Sequence, residues 1–223
     1  MTKTVTKKAD SLCYSFTVGK SGSGPWWHKV QGQLNEDTFI SCDSNNCHAV
    51  GRLGNRLDAT KTWETQIDTL KDGVDLFKDQ GIQMKLENNA MREPFTLQAT
   101  ICCRSEGGEH VKESCDIDLN GRKMLHLDLN TKKWTEVNPG SSWMETMLKE
   151  NKFLTEFLYK TSQGDCRSWL EEFKSYWEEK LESIALPTAA PDVDQPSSMV
   201  RKPNISVLLI ILMNFLLFLL QYL

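Results

Sequence analysis

Seven cysteines and four histidines are the residues of this chain best equipped for chemistry. Thiols pair as disulfides, hold zinc or act as nucleophiles, and spacing helps to decide among these. Cys42 and Cys47 flank Asp43-Ser44-Asn45-Asn46 and precede His48. That set either clips a turn or begins a zinc site. The usual short ligand spacing is absent, so a disulfide is expected and no metal. Cys102 and Cys115 fall on strands expected to be neighbours and form a second candidate pair. The odd count leaves one thiol free or bridged to another molecule. His28, His48, His110 and His126 are scattered over expected strands and turns, with no HExxH pair and no nucleophile elbow. Glu106-Gly107-Gly108-Glu109-His110 lacks the Lys-Ser/Thr ending of a phosphate loop and reads as a hairpin turn. No catalytic constellation emerges, so neither an enzyme nor a cofactor is expected.

The elements that position these residues follow one pattern twice: short strands, then a long helix. In the first half, Leu12–Gly19, Trp27–Gln33, Thr38–Cys42 and His48–Gly51 are expected strands between Gly, Pro, Asn and Asp turns. A helix from about Ala59 to Asn88 carries Trp63, Ile67, Leu70, Val74 and Phe77 as one apolar stripe. In the second half the expected strands are Phe95–Arg104, His110–Leu119, Lys123–Asp128 and Lys133–Val137. A helical region follows from about Ser142 to Ser183. Trp143, Met147, Leu154 and Leu158 form its first stripe, and Cys166, Leu170, Phe173 and Trp177 its second. Gln163-Gly164-Asp165 should break it. Two four-stranded sheets joined edge to edge, with two helices across one face, would bury all of these stripes. The expected class is therefore α+β, an eight-stranded antiparallel sheet under two long helices. The expected parts are an N-terminal segment 1–10, two halves 11–92 and 93–183, a stalk and spacer 184–204, and an apolar tail 205–223.

Ile205–Leu223 contains nineteen residues without charge. As a helix it would be ~28 Å long at about 1.5 Å per residue, enough to cross a bilayer core. Small residues, a polar spacer and an apolar tail are also the form of a glycosylphosphatidylinositol (GPI) attachment signal, with Ser197 or Ser198 as the attachment residue. The lipid anchor is the expected reading and a single short span the other. Either places the body on the outer face of a cell. Seven cysteines agree with that oxidising compartment. Met1–Asp10 carries no apolar leader core, so the leader is either missing from this sequence or replaced by another route. Asn204-Ile205-Ser206 is the only sequon and falls in the segment expected to be removed. The net charge is −4 and no basic run exceeds Lys7-Lys8, so nucleic acid is not an expected partner.

Residues 11–183 resemble the α1α2 platform of MHC class I-like proteins. The resemblance rests on Phe95-Thr-Leu-Gln-Ala99, Cys103, Lys133-Trp134-Thr135 and the run from Gly164-Asp165-Cys166 through Trp169-Leu170 to Phe173. Ser11-Leu12-Cys13-Tyr14 and Val30-Gln31-Gly32-Gln33 look closer to the anchored ligands of the NKG2D receptor, the UL16-binding and retinoic-acid-early-inducible groups. Among these the sequence looks most like the histocompatibility antigen 60 group. Unlike true MHC class I, no immunoglobulin-like third domain is expected after residue 183, so β2-microglobulin is not an expected partner. The resemblance implies a Cys103–Cys166 disulfide from sheet to helix. It gives Cys13 a partner at the position that holds His28 here.

The resemblance also allows the groove to be checked for peptide. The positions that clamp a peptide carboxylate correspond to Leu86, Glu145, Leu148 and Lys149. Two leucines supply no donor and an acid repels a carboxylate. At the amine end Tyr14 is kept, while Thr161 and Phe173 replace two tyrosines. No presented peptide is expected, although a buried lipid stays open. The implied function is display: an NKG2D homodimer would sit across both helices. Its candidate contacts are Thr69, Asp72, Leu76, Asp79 and Gln83 on the first helix. On the second they are Lys149, Lys152, Phe153, Glu156, Tyr159 and Lys160. An MHC-like carrier of lipid or another small molecule, or a paralogue that binds no receptor, are the alternatives.

Overall fold

The computed structural model describes residues 10–44, 46–87, 93–106 and 110–185. Residues up to Leu186 form one unit, and Pro187–Leu223 a second that lies outside the described residues with the attachment serines, sequon and apolar tail.

Eight strands form one sheet: β1 (Asp10–Lys20), β2 (Trp27–Leu34), β3 (Asp37–Asp43), β4 (Cys47–Ala49), β5 (Phe95–Glu106), β6 (His110–Leu119), β7 (Arg122–Asp128) and β8 (Lys133–Glu136). Their order is β4-β3-β2-β1-β5-β6-β7-β8, and every neighbouring pair is antiparallel. The two halves therefore meet at β1 and β5, paired from Asp10↔Ser105 to Lys20↔Phe95. Side chains alternate faces along a strand. Leu12, Tyr14, Phe16 and Val18 of β1 are buried on one face with Leu97, Ala99, Ile101 and Cys103 of β5. The opposite face is polar. Ser15 and Thr100 hydroxyls lie 3.0 Å apart there, and Asp116 takes Lys123 at 2.7 Å and His126 at 2.6 Å.

The first half ends in α1 (Gly51–Leu57) and α2 (Lys61–Glu87), the second in α3 (Ser142–Glu150), α4 (Lys152–Lys160), a π-helical turn Thr161–Cys166 and α5 (Arg167–Ala185). Trp63, Leu70, Val74 and Phe77 of the expected stripe are buried, and Ile67 is half-buried at its edge. Tyr14 meets Trp169 with ring centroids at 5.6 Å, Phe16 meets Phe77 at 5.3 Å and Phe39 meets Phe173 at 5.5 Å. Both helical layers thus share one aromatic core above the sheet.

Two expectations need correction. The fourth strand stops at Ala49, because Gly51 adopts φ +66° and turns the chain into α1. That helix buries Leu53 and Leu57, four residues apart, but is too short to announce itself by periodicity. Gln163-Gly164-Asp165 does not end the helix either. The chain passes through it as the π turn, which absorbs the misfit while Cys166 stays tied to the sheet. The interruption falls at Asn151, whose ψ of 88° leaves the helix and whose Oδ1 accepts from Leu154 N at 3.0 Å.

Candidate functional site

The space between the helices is filled from within. Gly73 on α2 leaves a notch into which Phe157 of α4 fits. An added Cβ at Gly73 would lie 2.6 Å from Phe16 and 2.7 Å from Phe157. Phe157 stacks edge-on against Phe16 at 6.1 Å and Phe77 at 6.5 Å. Hydrogen bonds cross the two layers on either side of this plug. Asn151 Nδ2 donates to Gln80 Oε1 at 2.9 Å, and Thr62 Oγ1 donates to Glu172 Oε2 at 2.6 Å. Below them Tyr14 is buried and donates to Gln66 Oε1, while burial and the charge of Asp165 raise its pKa well above that of a free phenol.

The positions matched to a peptide clamp present no donor set. Leu148 is buried, Leu86 points out, and the Lys149 ammonium is bound by Glu145 at 2.5 Å. Thr161 and Phe173 are buried.

A different hollow is open to solvent, about 760 Å³, between the end of α2 and the α3–α4 bend. It brings together five of the expected contact residues: Leu76, Asp79 and Gln83 from α2, Lys152 and Phe153 from α4. Leu76 is half-buried against the core, whereas Phe153 is 77% exposed. The other six lie outside this hollow. The Thr69 hydroxyl donates to Thr65 O at 3.1 Å, and Asp72 is exposed one turn before Leu76. Lys149 is held by Glu145 and Lys160 by Glu156 at 2.7 Å. Tyr159 lies under the Lys132 ammonium, 4.8 Å from the ring centroid. Sequence reasoning missed Leu86, Glu87, Met147, Glu150 and Asn151 as lining residues. The available signal was Leu86, an exposed leucine one turn beyond Gln83, which the clamp comparison treated only as a lost donor.

The cysteines form Cys13–Cys102, Cys42–Cys47 and Cys103–Cys166. The expected Cys102–Cys115 bridge does not form. Cys115 stands opposite Ile101 and points into the core, whereas Cys102 stands opposite Cys13 on the far face. Neighbouring strands are close, but these two side chains leave the sheet in opposite directions. Cys115 stays a buried thiol, and burial raises its pKa far above the ordinary thiol range. Cys13, whose implied partner position holds His28, bonds across the seam instead. His28, His48, His110 and His126 lie on four different strands, β2, β4, β6 and β7.

The chain is 40% identical to human UL16-binding protein 1 over 209 residues, 92% of this chain and 86% of that relative. It belongs to the UL16-binding protein family. It is also 36% identical to human UL-16 binding protein 5, of whose length it spans 57%. No protein-family model matches. Among solved structures, chicken CD1-1 superposes with a TM-score of 0.64 at 19% identity, covering 78% of this chain and 65% of that one. That likeness shows the fold, the MHC class I-like platform. The shared family and the shared fold thus come from independent measures, one of sequence and one of backbone shape. Among the described residues no helix is long and apolar enough to cross a membrane.

Proposed function

We propose that this chain is a cell-surface ligand of the activating immune receptor NKG2D, read through the outer surface of its two helical layers. The observation that carries the reading is the Leu76–Phe153 hollow at the helix ends, on a platform whose interhelical space is filled by Phe157. An interface gains most from aromatic anchors beside polar groups, and Phe153 with Leu76, Asp79 and Lys152 supplies that mixture. Membership of the UL16-binding protein family supports it. A receptor homodimer would lie across both helices, with Thr69, Asp72, Lys149, Glu156, Tyr159 and Lys160 extending the footprint.

Neither peptide nor β2-microglobulin has a part in this reading. The Phe157 plug and the burial of Thr161 and Phe173 support a platform without a presented peptide. The outer face of the sheet is largely polar among the described residues, with Trp27 exposed on it, and this reading assigns it no docked immunoglobulin-like subunit. The same plug argues against a lipid carrier. Ser197 or Ser198 would carry a GPI anchor, and phosphatidylinositol-specific phospholipase C would release the protein from cells.

The test is binding of purified NKG2D ectodomain to cells displaying the full chain, with surface level read separately by a tag. Leu76→Asp and Phe153→Ala should each lower the affinity at least about tenfold, as loss of an interface anchor does. Unchanged binding by both variants, or no binding by the parent chain, overturns the reading.

A further inference from the structure

We propose that Cys13–Cys102 is a thiol-exchange site that joins the two halves of the platform and favours an anionic small-molecule thiol such as glutathione. The inference is independent of receptor binding.

Three observations carry it. Among the described residues, this disulfide alone links the halves. Cys42–Cys47 lies within the first and Cys103–Cys166 within the second. It also sits on the outer face of the sheet, where β1 and β5 place Cys13 directly opposite Cys102. A cleft of about 390 Å³ opens onto it, lined by both cysteines, Gln33, Glu36 and Arg104. That volume falls in the range of small-ligand clefts, about 300–1,000 Å³. Cys13 is half-buried and Cys102 is 6% exposed, whereas Cys103 and Cys166 are both fully enclosed. Exchange requires a thiolate to reach a sulfur, so access separates this bridge from Cys103–Cys166.

Charge sets the preferred thiol. Arg104 lies two residues from Cys102, lines the same cleft and is exposed. It attracts an anionic thiol and steadies the departing Cys102 thiolate. Glu36 on the other rim opposes it. The Cys42–Cys47 bridge is reached through half-buried Cys47, but no arginine stands among the residues that line its cleft, where the charges of Lys71 and Asp75 offset each other.

The steps balance. A glutathione thiolate attacks the Cys13 sulfur, forming a mixed disulfide and releasing Cys102 as a thiolate. A second glutathione thiolate attacks the glutathione sulfur of that mixed disulfide and releases the Cys13 thiolate. Two glutathiones are oxidised to their disulfide, the protein gains two electrons, and both cysteines take protons from water.

The experiment is timed exposure of the folded full chain to glutathione, quenching with iodoacetamide and mapping of labelled cysteines by mass spectrometry. Circular dichroism follows folding in parallel. Cys13 and Cys102 should be labelled first, while the fold persists. Arg104→Gln should slow their opening about 3–10-fold and Glu36→Gln should speed it, both effects fading in 1 M salt. With 2-mercaptoethanol, whose thiolate lacks the carboxylates of glutathione, both charge variants should shift the rate less, the residue of the Arg104→Gln effect being its support of the departing Cys102 thiolate. Opening of Cys42–Cys47 or Cys103–Cys166 first, opening only in step with unfolding, or equal effects of Arg104→Gln on both thiols overturns the proposal.

Discussion

Gly73 and Phe157 decide at the level of single residues whether this platform has a groove. A side chain at Gly73 would collide with two rings, and a smaller residue at 157 would leave those rings facing a void. Phe157→Ala should therefore cost about 2–3 kcal/mol, less than a fully buried phenylalanine because Phe157 is half-buried. Urea denaturation would measure the loss. The same variant should gain binding of an apolar dye while folded, and a variant that binds none would show that the helices collapse over the gap. Asp116 makes a second residue-level prediction. Burial raises its pKa, but hydrogen bonds from Lys123 and His126 outweigh that and hold the carboxyl below its usual range. Its stabilisation is full above the unfolded value of about 3.9 and is lost as pH falls through the lower folded value. Asp116→Asn should flatten this part of the acid loss below about pH 4, read by denaturation across pH 2–6. Both predictions concern side chains that sequence periodicity treats as ordinary.

Two strong ties hold the helical layer to the sheet where the π turn meets α5. Cys166 at the end of that turn bonds Cys103 of β5, and Arg167 beside it donates from Nε to Glu113 of β6, whose side chain is fully enclosed. Buried carboxylates need such partners. The extra residue of the π turn lets both ties form while α4 and α5 keep their apolar faces down. Replacing Cys103 and Cys166 together by alanine should cost about 4 kcal/mol, the chain-entropy value for a loop of this length. A guanidinium titration of the oxidised parent and the double variant would check it. A loss below about 1 kcal/mol would show that packing alone holds α5 in place. This part of the molecule was half legible. The family resemblance named the bridge, and the Gly164 region was visible as irregular. That it continues the helix follows from contacts distant in sequence, which local propensity does not register.

At the scale of the whole molecule, the continuous β1–β5 ladder makes two similar halves into one folding unit. The core crosses that seam without interruption, from Phe39 and Tyr14 in the first half to Trp169 and Phe173 in the second. Neither half keeps its buried face without the other. The platform should therefore unfold in a single transition, with equal calorimetric and van't Hoff enthalpies. Two resolved transitions would mean that the halves are separate domains. The sequence by itself determined the strand alternation, the α2 stripe, the order of the eight strands and the family, because each is written in local periodicity or in strings of adjacent residues. It also marked Leu76, Asp79, Gln83, Lys152 and Phe153, though not that they share one hollow. Tertiary structure alone decided that Cys102 bonds Cys13 rather than Cys115. Which face of a strand a residue occupies depends on register with its neighbour, and register is a property of two segments rather than one. The filling of the groove is of the same kind: Phe157 and Gly73 lie far apart in the chain, and only the approach of two helices across one sheet makes them fit.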